Sequence, residues 1–437
     1  MGTPRARLRR APLALTLLLV GGFAGPAGAA GIADPVPPLS SWSFGLMANG
    51  YAYQDVDSTR TTSDEFRFYQ HFAGTASGLA GGGLSFRTAG RFAGLPDDAG
   101  PLFETSRLHT GLLEQRLGAR ARVQVGRQFL QSGVAGLTLD GVRLVYRGQG
   151  GLEASAWGGG AVPSGHAFEL ADFGQDAAAG GRVVFRPARN HRLGLSAAYR
   201  ERLGVVAFRP VGAEYTTTSM RHLRAMARAA YDLEGGRWVR LEAQGQWRQA
   251  GSRPVLTLQY VDRYPTVDAA SWFSRFTDLE RIRVLRTGLR WESAARFGGE
   301  AEYQGAFVGD RASHRIGLAA LLPGARVGYA LRVGDAGDEN SLYGEVGWQA
   351  RRWLRLEGEA SYLTYALLAD APEDQERDLV TLAARARLNL RSGLNVTAEV
   401  QALENPRYDS DVRVLLGVDL AMGRGASRFG LDRGGWL

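Results

Sequence analysis

Thr381-Leu382-Ala383-Ala384-Arg385-Ala386-Arg387-Leu388-Asn389-Leu390 decides the fold. Leu382, Ala384, Ala386, Leu388 and Leu390 share one parity, and Thr381, Ala383, Arg385, Arg387 and Asn389 the other. A period of two gives a strand one oily and one wet face, and about ten residues suffice to cross a bilayer at a tilt. The pattern recurs along the chain. On Trp238 to Trp247, Val239, Leu241, Ala243 and Gly245 fall on the lipid parity, with Arg240, Glu242, Gln244 and Gln246 opposite. On Leu354 to Tyr362 the inward set is Arg355, Glu357, Glu359 and Ser361, and on the last strand it includes Arg413 and Asp419. These segments predict an all-β fold, a transmembrane antiparallel up-and-down β-barrel of about 20 strands, within a range of roughly 18–22.

The N-terminus points to export. Arg5, Arg7, Arg9 and Arg10 precede an apolar run from Ala11 to Val20 and then Ala27-Gly28-Ala29, the layout of a secretory signal peptide over residues 1–29. A Pro-rich periplasmic lead-in (30–41), an outer-membrane barrel (42–421) and a periplasmic tail (422–437) are expected to follow. No stretch of about 18 apolar residues follows the leader, so nothing would lodge the chain in the inner membrane. The expected location is the cell outer membrane. The expected partners are outer-membrane lipid, lipopolysaccharide and the barrel-assembly machinery.

Composition agrees: 59 glycines, no cysteine and a mean hydropathy of -0.19, as expected where polar lumen residues offset lipid-facing ones. Without cysteine the chain has neither a disulfide nor a lipid-anchor site. The net charge of +8 falls to about +4 once the four leader arginines are set aside. All 52 basic residues are arginine, which reflects either codon bias or the two-pronged fork with which arginine holds phosphate and carboxylate.

Connections alternate between short and long. Gly118 to Arg120, Leu233 to Gly236, Leu322 to Gly324 and Arg391 to Gly393 read as tight periplasmic turns, and Leu95 to Glu104, Val162 to Ala179, Glu201 to Ser219, Gly334 to Asn340 and Leu367 to Arg377 as outer loops. Counts inward from both ends agree if Arg248 to Glu280 is one outer excursion. A loop so long and rich in aromatics is expected to act as a lid or constriction, with Arg263, Asp268 and Arg275 brought towards the pore, or else to stand above the membrane as a hairpin. Trp42, Phe44, Trp238, Trp247, Trp291, Trp348 and Trp353 lie near strand ends, as aromatic girdles require.

Catalytic and cofactor chemistry is missing. The six histidines, His71, His109, His166, His191, His222 and His314, show no metal-ligand spacing, and no nucleophile elbow, H-E-x-x-H, haem site or phosphate-cradling loop is present. The acidic loops Asp335 to Asn340 and Asp370 to Asp378 lack calcium-loop spacing. The sequence therefore reads as a non-enzyme with no cofactor, no metal and no nucleic-acid partner.

Val125-Gly126-Arg127-Gln128, then Leu137-Thr-Leu-Asp-Gly-Val-Arg-Leu-Val-Tyr-Arg147 and, loosely, Ala156-Trp157-Gly158-Gly159, resembles the G-R-Q and D-G-x-R strands of the alginate-export family of outer-membrane barrels. The resemblance implies a monomeric barrel passing an anionic polysaccharide, with lumen roles for Arg127, Gln128, Asp140 and Arg143. Strict alternation, however, points Arg127 outward near the outer rim, towards lipopolysaccharide phosphates, unless Gly126 bulges the strand. The many inward glutamates favour a porin-like relative.

The expected function is a channel for hydrophilic solutes, anionic ones or saccharides among them. Its pore is expected to be lined by Arg122, Gln128, Asp140, Arg143, Arg240, Glu242, Arg355, Glu357, Arg385, Arg387 and Arg413. An inward arginine can set the field for an anion, and an arginine opposite a glutamate can equally be a structural ladder. The alternative is a barrel sheath around a periplasmic multihaem cytochrome, forming an electron conduit across the outer membrane.

Overall fold

A computed structural model of the chain describes residues 41–56, 62–79, 83–94, 106–162, 168–220, 222–248, 254–265, 280–293, 297–335, 337–366, 377–391, 393–405 and 408–424. The expected signal peptide, most of the lead-in and most of the tail lie outside these residues.

The described strands form one antiparallel sheet. The chain runs from β1 (Ser41–Val56) and β2 (Thr62–Leu79) through β3 (Leu84–Gly94), β4 (Arg107–Leu117), β5 (Ala121–Ser132), β6 (Ala135–Arg147) and β7 (Leu152–Ala161). It continues through β8 (Ala177–Ala188), β9 (His191–Arg202), the short β10 (Val205–Phe208), β11 (Pro210–Met220), β12 (Leu223–Asp232), β13 (Arg237–Arg248) and β14 (Val255–Arg263). Then come β15 (Ile282–Glu292), β16 (Gly298–Val308), β17 (Arg311–Leu322), β18 (Ala325–Gly334) and β19 (Glu339–Arg351). The last four are β20 (Leu354–Tyr365), β21 (Arg377–Arg391), β22 (Leu394–Asn405) and β23 (Tyr408–Arg424). Neighbours pair in sequence, and β23 pairs with β1 from Trp42↔Arg424 to Ala52↔Val414, closing the ring. β10 and β11 lie along the same edge of β9 as one stave interrupted at Arg209, so the 23 segments make a 22-stave barrel. Closure leaves no unpaired edge to face lipid.

Alternation fixes the two faces. Leu113, Val125, Val142, Leu144, Leu193, Leu195, Leu256, Leu258, Ile316, Leu318, Leu382 and Leu416 are exposed large apolar residues on the outward parity. On a closed barrel this is the lipid-facing band, and the chain is an outer-membrane β-barrel. Exposed Trp42, Trp247, Trp291, Trp348 and Trp353 ring the end that carries the tight turns, and Trp238 sits at the other end.

Two staves depart from the sequence expectation. Glu201 to Ser219, expected as an outer loop, is the end of β9, a tight turn at Leu203 and Gly204 (φ 53° and 77°), and the stave β10 and β11. The expected excursion from Arg248 to Glu280 contains β14, a full stave paired with β13 and β15 on its two edges. The first omission reverses the direction expected for β12 and β13, and the second restores it from β15 onward, so an even count survives both. One consequence is that Leu233 to Gly236 turns at the end with the longer loops. β1 begins at Ser41 and β23 extends to Arg424, slightly outside the expected limits of 42 and 421.

Candidate functional site

The lumen is not an open tube, because one hairpin of the wall folds into it. β4 pairs with β5 only as far as Gly111↔Arg127, and β6 with β7 only as far as Leu139↔Ala161. Beyond those rows the ladder of Gln128 to Thr138 is internal to the hairpin, with the Val162 amide donating to the Thr138 carbonyl at 2.9 Å at its base. The tip then meets inward residues of strands that are not its neighbours. The Val134 amide donates to Ser196 Oγ on β9 at 3.1 Å, and Val134 packs so closely on Gly212 of β11 that a Cβ there would lie 2.4 Å from it.

Leu130, Leu139 and Ala135 on the inner face of the hairpin pack on inward-facing Trp157, Ala161, Ala178 and Ala198 of β7, β8 and β9. Leu130 and Leu139 are both 0% exposed. Burying a leucine fully stabilises by about 1.5–3 kcal/mol, so the barrel carries a small dry core within its own lumen.

The crease is built of glycine. Gly126, Gly141 and Gly159 stand side by side on β5, β6 and β7. Gly126 has a φ of 116°, where a side chain is strained, and a Cβ on it would lie 2.1 Å from the Gly111 carbonyl oxygen. A Cβ on Gly141 or Gly159 would come within 2.2 Å of a neighbouring backbone oxygen. Backbones approach here more closely than any side chain permits. The ladder through Gly126 stays in register, so the strand is kinked there without a bulge.

Behind the hairpin, on its lipid-parity face, lies the segment from Phe168 to Asp176. The Ala171 amide donates to Asp140 Oδ2 at 2.8 Å, Arg127 donates to the Glu169 carbonyl, and Phe168 stacks on Phe92 of β3 at 5.9 Å. Arg127 grips Asp140 with two bonds of 2.7 Å, and both are nearly sealed, at 3% and 2% exposed. The outward parity of Arg127 is thus real, but a protein strap and a carboxylate cover it. Asp140 and Gln128, expected to line the pore, are buried in the hairpin. The strap ends at Asp176, which pairs with Arg200 at 3.1 Å and Arg202 at 3.8 Å on β9.

The remaining expected residues sit on the lumen wall in carboxylate-centred clusters. Arg122 and Arg87 flank Glu114 at 3.9 and 3.7 Å, and Arg240 and Arg228 both hold Glu242 at 2.6 Å. Glu214 is shared by Arg182 and by Arg192 at 3.4 Å, and Glu339 by Arg315 at 3.7 Å and Arg332 at 2.6 Å. Glu357 collects Arg355, Arg385 and Arg387 at 2.9, 3.4 and 3.2 Å, with Arg385 reaching on to Glu399. Arg413 pairs with Asp411 at 2.6 Å, and Arg143 shares the inward parity of the buried Val145. In the Glu114, Glu214, Glu242 and Glu339 clusters two guanidinium groups share one carboxylate, leaving a surplus of positive charge towards the lumen.

Arg263 is on the wall, not on a lid. It is the last residue of β14, opposite Arg240 and Ile282. It lines a cleft of about 540 Å³ beside the hairpin tip, together with Gly133, Val134, Glu214, Arg228, Arg240 and Tyr264. Asp268 and Arg275 lie outside the described residues. Val239, placed on the lipid parity by simple alternation, lines the same cleft and is 8% exposed against 52% for Trp238. The register slips between Ala230↔Arg240 and Tyr231↔Trp238, so Val239 is an extra residue turned inward with Arg240. Sequence reasoning missed Arg182, Arg192, Glu214 and Arg228, although the lipid-parity Leu193 and Leu195 beside Arg192 carried the signal for that strand.

The sequence matches no family model, and no curated protein matches it. Among solved structures the chain is similar to Pseudomonas aeruginosa OpdO at 10% identity, over 88% of this chain and 97% of that one, with a TM-score of 0.45. It is also similar to the translocation pore of the P pilus usher PapC at 9% identity, over 87% and 99% of the two chains, with a TM-score of 0.49. For Pseudomonas aeruginosa OccK2 (OpdF), in a complex with glucuronate, the identity is 12% over 88% and 98%, with a TM-score of 0.43. At such identities the likeness concerns the barrel alone, and the alginate-export resemblance rests on its local motif.

Proposed function

We propose that the barrel is a passive outer-membrane channel for small hydrophilic anions, acidic saccharides included, with the inward hairpin of β5 and β6 as its constriction. The observation that carries this reading is the sharing of single carboxylates by two arginines around the lumen wall. Glu114, Glu214, Glu242 and Glu339 each neutralise one guanidinium and leave a second to act on a passing solute. Rings of arginine select anions by their field, and a constriction brings a solute close enough to feel it.

The alginate-export resemblance supports the same arginine-lined lumen, and its motif residues Gly126, Gly141 and Gly159 form the crease of the constriction. The chain's own hairpin also takes up lumen space that an enclosed cytochrome would need, which favours a channel over a sheath. In planar bilayers the purified chain is expected to give discrete conductance steps, with a reversal potential in a KCl gradient that reports anion preference. A closed barrel without steps, or one that prefers potassium, overturns the reading.

A further inference from the structure

The lumen face of β2, β3 and β4 carries a basic group unlike the clusters elsewhere in the wall. His71, Arg91 and Arg107 lie in one cross-strand row, His71↔Arg91 and Arg91↔Arg107. The ladder slips between Ala89↔Thr110 and Gly90↔Leu108, making His109 an extra residue between them. Such bulges re-aim side chains, and His109 comes within electrostatic reach of Arg91, Arg107 and His71. The Arg91 guanidinium lies over the Tyr69 ring at 5.4 Å, and all four basic residues are partly exposed.

Like charges directly opposite on neighbouring strands destabilise a sheet. Elsewhere this barrel compensates. Arg315 and Arg332 face each other and share Glu339, and Arg355 and Arg387 face each other and share Glu357. Among the described residues, no carboxylate pairs with Arg91 or Arg107.

We propose that Arg91, Arg107, His71 and His109 form a subsite for the oxyanion group of a soluble solute, a carboxylate or phosphate, on the lumen wall near the end with the longer loops. The proposal rests on the channel reading and supplies its substrate class. Two guanidinium groups offer paired donors that fit a planar carboxylate or a phosphate face. The His109 imidazole adds a donor at the edge of the group, with His71 beside it in the row. Because the row is on the inward parity, it admits a solute from the lumen, not a lipid headgroup.

The test is calorimetric titration of the full chain in detergent with inorganic phosphate and, separately, with acetate, for wild type and for Arg91→Gln with Arg107→Gln. Wild type should bind both, and the double variant should bind each at least tenfold more weakly. Because the substitutions relieve repulsion, thermal unfolding of the variant should come no earlier than that of wild type. Unchanged affinity in the variant overturns the proposal, and so does earlier unfolding, which would mark the row as structural. Absence of wild-type binding also overturns it. Binding without bilayer conductance would keep the subsite and remove the channel, and conductance without binding would do the reverse.

Discussion

The wall from β20 to β23 and the wall from β4 to β7 obey different rules. In the first, pairing continues from turn to loop, as in Leu354↔Leu388 to Tyr365↔Arg377, and every lumen arginine named on it meets an acid. In the second, pairing stops partway up, a glycine row creases three strands, and the freed hairpin enters the lumen. Alternation specifies faces only while strands stay in the wall. Where glycine removes the side chains that hold neighbouring backbones apart, the same period-two pattern serves a hairpin packed on the inside of its own barrel.

The sharpest way to break this contrast is to replace Leu130 to Leu137 by a two-residue Asn-Gly turn, which keeps the Phe129↔Thr138 register. Bilayer conductance is expected to rise several-fold and anion preference to fall, because the obstruction leaves the cleft lined by Arg228, Arg240 and Arg263. Unchanged conductance would mean that the hairpin does not limit the pore.

A second change probes the strap. Asp140→Asn leaves the Arg127 guanidinium buried without its counter-charge, at a cost of about 3–5 kcal/mol. The variant should unfold earlier on heating. Removing both charges together, with Arg127→Leu and Asp140→Leu, should cost less than the two single losses added. A strictly additive double variant would show that the pair does not act as a unit.

The smallest expected effect compares two glycines. Gly141→Ala places a Cβ 2.2 Å from the Gly158 carbonyl oxygen, whereas Gly299→Ala on the plain wall meets nothing nearer than the Ala319 oxygen at 3.6 Å. The first should destabilise by about 1–3 kcal/mol and the second by less than about 0.5 kcal/mol, measured by denaturant unfolding. Equal losses would remove close backbone approach as the basis of the crease.

The sequence revealed what depends on strict alternation. The inward parity of Arg240, Glu242, Arg355, Glu357, Arg385, Arg387 and Arg413 was legible because each lies in an unbroken run, and the barrel class followed from such runs. Pro210 to Met220 does not read as a strand because threonines and glycine blur its two faces. Val255 to Arg263 alternates, yet it falls in the expected outer excursion because the missing stave before it reverses the count. The sequence points to the longest connection as the lid, yet the segment that enters the lumen is a hairpin whose turn, Gly133-Val134, is among the shortest. Nothing in residues 128 to 138 alone says that the tip turns inward. That depends on Gly126, Gly141 and Gly159 falling in one row, which becomes visible only when the register is known.

The strap has a consequence for how the barrel is made. Arg127 and Asp140 are covered by residues 42 and 31 positions further along the chain, Glu169 and Ala171. A barrel that grows hairpin by hairpin would therefore add β5 and β6 with their outer rim still open to lipid on a buried charge pair. The rim is sealed only after β7 has been laid down and the chain has doubled back across its own seam. Sealing of this rim therefore lags the addition of β5 and β6 by one strand, and an assembly intermediate halted before residue 168 should be leaky at one defined place on its circumference.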